Sequence, residues 1–192
     1  YEHVLDDFTQ NLSLVFPSLI QTKKARNKEE GQSDFSYRFQ VSRINNFLDI
    51  FVPGLKIADG TTLNGAFKSR EDILMAKLNS NEMEFEGFRF QSIAMDQTIT
   101  PVGVDGSLSI ATVKYGDSLS FNGVEFLNRG KNGVLASSLY WDKESNDYSS
   151  IKWTTHILGS DQINFILQPS FFSINGFKWD IDCSYSQRSA GT

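Results

Sequence analysis

The sequence predicts a mostly β protein, an antiparallel meander of short strands with a short N-terminal helical part. Three observations predict it. First, one pattern occurs three times: an apolar-x-apolar run, a two-residue Asn-Gly or Glu-Gly step, and a second apolar-x-apolar run. Second, turn-forming clusters recur at strand-like spacing through most of the chain, with segments of alternating polarity between them. Third, little room remains after residue 52 for the helical crossovers that parallel strands require. Sixteen Phe against four Pro suit such a chain.

The three copies carry Met83, Phe85, Phe88 and Phe90 about Glu86-Gly87; Leu119, Phe121, Val124 and Phe126 about Asn122-Gly123; and Phe172, Ile174, Phe177 and Trp179 about Asn175-Gly176. Each reads as a tight hairpin. A type I′ turn needs positive φ at both central residues, which Asn tolerates and Gly adopts freely. Glu86 is a poorer first turn residue. In a two-residue hairpin, the residues flanking the turn face one another, so all four apolar side chains of each copy share one face.

In chain order, Val4, Leu5, Phe8, Leu12, Val15, Phe16, Leu19 and Ile20 recur at helical spacing. They predict an amphipathic helix over about residues 2–16, ended by Pro17. Residues 21–33 are charged and lack large apolar groups, which predicts a solvated linker. Residues 1–33 thus stand apart from an antiparallel β module over 34–185, and residues 186–192 read as a disordered tail. Within the module, Phe35, Tyr37, Phe39 and Val41 alternate as a half-buried strand. Residues 45–52 fit a helical turn closed by Pro53-Gly54. Strands follow at 55–57 and 63–67, with Gly65 marking a bulge or close packing. Residues 69–78 carry both helix-capping and strand signals, and closely spaced turns on either side favour the strand. Further turns are expected at 79–81, 103–106, 116–117, 128–133, 144–147 and 159–161, with alternating strands such as Leu135, Ser137, Leu139 and Trp141 between them. A sandwich, a barrel and a one-sided sheet all satisfy the pattern.

Composition excludes several function classes. The 192 residues carry 18 basic and 23 acidic side chains, a net charge of -5, and no basic footprint for nucleic acid or an anionic membrane surface. Cys183 is the one cysteine, so neither an intrachain disulfide nor a multi-cysteine metal site is expected. No apolar run reaches the ~18 residues that span a bilayer. The chain opens at Tyr1 without a Met, and the expectation is a piece of a longer protein. His3 and His156 lack partners at ligand spacing. Residues 142–147 begin like a calcium loop but lack its sixth-position Gly and final Glu, so a polar loop is expected. No phosphate-binding glycine loop or nucleophile elbow occurs. The residues therefore point to a non-enzymatic protein without metal or cofactor. A glycan-binding sandwich with stacking rings at Trp141, Trp153 and Tyr148 is the alternative.

The stretches FVPGLKIADGTTLNGAF, NEMEFEGFRFQSI, VLASSLYWD and FILQPSFFSINGFKWDID, in that order, resemble the TamB-type (AsmA-like) translocation and assembly proteins of Gram-negative envelopes. The likeness covers roughly residues 35–182. It implies a periplasmic segment of a long, inner-membrane-anchored protein whose sheet curls into a trough with an apolar inner face. It also implies phospholipid acyl chains as partners and, through the full-length chain, an outer-membrane assembly factor of the Omp85 type. The twelve apolar hairpin residues would then line a lipid groove. A segment of a continuous sheet also exposes strand edges, so an edge-to-edge homodimer is expected.

Overall fold

The computed structural model describes residues 34–157 and 163–181. The expected helix at 2–16, the charged linker, the tail, the turn at 159–161, His3 and Cys183 lie outside the described residues.

The described chain is an antiparallel meander in a single sheet that is not closed. Strands β1 (Phe35–Gln40), β2 (Lys56–Ile57), β3 (Thr62–Lys68), β4 (Ile73–Phe85), β5 (Phe88–Thr100) and β6 (Gly103–Tyr115) are followed by β7 (Leu119–Lys131) and β8 (Val134–Trp141). Then come β9 (Ser149–Ile157), β10 (Ile163–Leu167), β11 (Ser170–Ile174) and β12 (Phe177–Ile181), and one helix, α1 (Asn45–Phe51), precedes β2. The hydrogen-bonded order is β1-β3-β4-β5-β6-β7-β8-β9-β11-β12, with β2 on β4 and β10 on β9. All pairs are antiparallel. This excludes the sandwich and the barrel for the described residues, and with the sandwich goes the scaffold of the glycan-binding alternative.

Only Phe67, Ile93 and Ile110 are buried among the described apolar residues. Among the described residues the sheet has no second layer to pack on, so its apolar side chains are half-covered by their cross-strand neighbours. Gly65 is a point of close packing, as one of the two expected readings held: a Cβ there would collide with the Tyr37 ring and the Met75 carbonyl. Burial against Gly65 also raises the Tyr37 phenol above its ordinary pKa of 10.0.

The hairpin frame holds at its ends and fails in its middle. Glu86 (φ 49°) and Gly87 (φ 85°) form a two-residue turn with Phe85 opposite Phe88. Asn175 (φ 52°) and Gly176 (φ 75°) do the same with Ile174 opposite Phe177. Asn122-Gly123 is not a turn. It lies inside β7, with Asn122 opposite Thr112 and Val124 opposite Ile110. The reversal before it is already made at residues 116–118, where Tyr115 faces Leu119, so a second turn at 122–123 would leave a strand of three residues. Likewise 79–81 lies within β4, 103–106 within β6, and the turn expected over 128–133 shrinks to Asn132-Gly133. Strands β4 to β7 are consequently 13 residues each, not short. Small polar residues stand in mid-strand because one face of the sheet is open to water.

Gly123 has φ 56°, and the ladders locate its role. The rung is missing between Asn81 and Ser92, between Ser92 and Ala111, and between Ala111 and Gly123, though pairing resumes in the same register on both sides. Ser92 (φ 52°) and Asp142 (φ 54°) are left-handed on the same line. The Asp142 amide donates to the Asn122 carbonyl at 2.7 Å, and the Asp142 carboxylate accepts from the Asn122 amide at 3.1 Å. This line creases the sheet. Across it the apolar positions change parity, from Leu74 and Leu78 to Met83 and Phe85 in β4, and from Phe121 to Val124 in β7.

Candidate functional site: a continuous apolar sheet face

The alternation of side chains along strands, repeated in register, builds rows that run across the sheet. The longest is Phe39–Leu63–Leu78–Met95–Leu108–Phe126–Leu139–Ile151, eight strands of apolar side chains directly opposite one another. On one side of it lies Ser80–Ile93–Ile110–Val124. Beyond the crease follow Ile57–Met83–Phe90–Val113–Phe121 and then Phe85–Phe88–Tyr115–Leu119. The Phe121 ring meets Trp141 edge-on at 5.9 Å, and Trp141 alternates in step with Leu139, so both sides of the crease present their apolar groups to one face. The opposite face carries Lys77–Asp96 and Arg129–Asp105 pairs and the Lys56–Glu84–Arg89 cluster. The hydrogen bond from Arg89, seconded by Lys56, holds the Glu84 carboxyl below its ordinary pKa.

Met83, Phe85, Phe88, Phe90, Leu119, Phe121, Val124 and Phe126 therefore all stand on this face, although one of the two steps that place them is a crease rather than a turn. A hairpin and an in-strand left-handed residue both bring side chains three positions apart onto one side, which is why the spacing alone does not separate them. Phe172, Ile174, Phe177 and Trp179 sit on the last hairpin, with Phe172 stacked on Trp179 at 5.1 Å between centroids. That hairpin joins the sheet through Phe171 opposite Ser150, a single rung. Serine side chains take over the missing ladder bonds: the Ser173 amide donates to Ser149 Oγ, and the Lys152 amide to Ser170 Oγ, both at 2.9 Å. The hairpin pattern does not single out Leu63, Leu78, Met95, Leu108, Leu139 and Ile151. Their signal was plain alternation within single strands, and only the register brings them into one row.

The two ends of the face differ. At one, Phe85 and Phe88 are nearly 40% exposed beside Tyr115 and Leu119, with Phe88 and Tyr115 rings 4.6 Å apart. Helix α1 is anchored nearby, where the Ile57 amide donates to Asn45 Oδ1, and it shows Phe47, Ile50 and Phe51 to solvent. At the other end, a cavity of about 450 Å³ opens between the tips of the β5–β6 and β7–β8 hairpins. Ile99, Val102, Val104, Leu135 and Ile157 line it with the amides of Gln97 and Asn128. Gly130 keeps the floor low, since a Cβ there would lie 3.1 Å from Leu135 Cδ1.

Trp153 stacks on Phe126 and lies beside Phe165, Trp141 meets Phe121 edge-on, and Tyr148 meets Phe171 edge-on, each of the three rings being half-buried. Two carboxylates of the 142–147 loop bind the chain itself, Asp142 to Asn122 and Asp147 to the Gly176 amide. Among the described residues no cluster of three or more His, Cys, Asp or Glu is placed to hold a metal. No helix among them is long and apolar enough to cross a membrane. No protein family, curated protein or solved structure matches the chain.

Proposed function

We infer that the apolar face carries lipid acyl chains, making this chain a non-enzymatic segment of a phospholipid conduit in the cell envelope. One observation carries the reading: an eight-strand apolar row lies on a sheet that has no second layer among the described residues. Removing a ~16-carbon acyl chain from water is worth about 13 kcal/mol at about 0.8 kcal/mol per CH₂, so a carrier needs a continuous apolar path rather than isolated greasy spots. Adjacent rows here supply one, from the row through Met95 and Leu108 to the exposed edge at Phe88, while the polar row Gln97–Gly106–Asn128–Ser137 separates it from the cavity lined by Leu135. The opposite face, with its exposed ion pairs, faces water. The periplasm, an inner-membrane anchor and an Omp85-type partner belong to this proposal through the resemblance to TamB-type proteins alone.

The test is native mass spectrometry of the purified chain with extraction into organic solvent. Co-purified phospholipid, lost when Met95 and Leu108 are both changed to Asn, is the expected result. A chain that emerges lipid-free from a lipid-rich expression host, and that takes up none from vesicles, contradicts the reading.

A further inference from the structure

The edge strand β12 reads Phe177-Lys178-Trp179-Asp180-Ile181: apolar, basic, aromatic, acidic, apolar. Its charge pattern reverses sign about Trp179, so the strand is complementary to itself when run backwards. On one side β12 pairs with β11, and among the described residues no strand pairs with the other. Phe177 is 70% and Trp179 45% exposed. An edge of this kind offers a row of free N–H and C=O groups to an added strand.

We propose that the added strand is β12 of a second copy, the two chains being related by a twofold axis through the Trp179 pair, perpendicular to the sheet. Antiparallel pairing about that axis sets Trp179 opposite the partner's Trp179 and Phe177 opposite the partner's Ile181. It also sets Lys178 opposite the partner's Asp180, twice by symmetry. Opposite charges face each other across the strands and like charges do not, which favours this register over its neighbours. Within each chain Lys178 and Asp180 already pair at 3.0 Å, so the dimer exchanges two internal pairs, one in each chain, for two between chains. The edges at β1, β2 and β10 have no such match, and neither β2 nor β10 contains a carboxylate. A twofold at Tyr37 of β1 sets Arg38 opposite Ser36, and the strand contains no carboxylate. Joining β12 to β1 head-to-tail does not close, whereas the twofold arrangement does. Antiparallel partners keep their faces, so both apolar faces lie on the same side of a sheet twice as wide. The proposal rests on the open edge and not on the lipid reading, and it stands or falls separately.

Sedimentation equilibrium on the whole chain tests it. A reversible dimer is expected, weakened by about tenfold or more in Kd by Lys178→Glu or by Asp180→Lys, with circular dichroism unchanged. The double variant Lys178→Asp/Asp180→Lys restores the complementary pattern and the dimer. In a Cys183→Ser background, Trp179→Cys crosslinks to its own copy on oxidation and Phe39→Cys does not. A monomer at every concentration, single reversals without effect, or a double variant as weak as the singles overturns the proposal.

Discussion

At Gly123 and Ser92 the backbone is left-handed inside long strands, a conformation that costs an ordinary L-residue about 1–2 kcal/mol. Gly123→Val is expected to lower stability by about that amount or more, because a β-branched side chain resists this φ most. Ser92→Gly is expected to leave stability unchanged or slightly higher, since relief of strain offsets glycine's larger unfolded-state entropy. Urea denaturation of the two variants checks both, and a neutral Gly123→Val contradicts the crease. A second residue-scale effect lies at Glu84, hydrogen-bonded by Arg89 and Lys56. Its folded pKa is depressed below 4.5, so its contribution is fully present above that value and is lost as the pH falls through the folded pKa. Glu84→Gln should therefore lower the urea midpoint at pH 7 and leave it nearly unchanged near pH 2.

Among the elements, exposure predicts which apolar residues tolerate a charge. Phe121→Asp places a carboxylate on the open face, where water reaches it, and should leave a cooperative melt while weakening lipid association; Phe177→Asp, at a side chain 70% exposed on the last hairpin, should also leave a cooperative melt. Phe67 is 1% exposed, and Phe67→Asp should unfold the sheet by leaving a buried charge unpaired. Thermal melts followed by circular dichroism separate the two outcomes. The same contrast explains what the sequence made legible. Alternation in Phe35–Val41 and Leu135–Trp141 and the turns at Glu86-Gly87 and Asn175-Gly176 are local signals, and they survived intact. The 13-residue strands did not show, because Asn79-Ser80-Asn81 and Asn122-Gly123 carry turn chemistry that neighbouring strands override. The row through Met95, Leu108 and Phe126 is a matter of register between strands, which no single window of sequence contains.

For the whole molecule, the unusual feature is an apolar face left uncovered by the described residues. In a closed domain that face would be the core, and the mutational pattern would be that of Phe67 throughout. Among the described residues three large apolar side chains are buried and many more are half-exposed, which suits a surface that receives apolar ligands in turn. Whether acyl chains lie along this face is read most directly by photocrosslinking with a phospholipid bearing a diazirine in its acyl chain. Mass-spectrometric mapping should find label on the apolar row, at Met95, Leu108, Phe126 and Leu139, and along Met83, Phe90 and Phe121, with little on the Lys77–Asp96 face. Label spread equally over both faces, or none above the level of the urea-unfolded chain, would contradict the account.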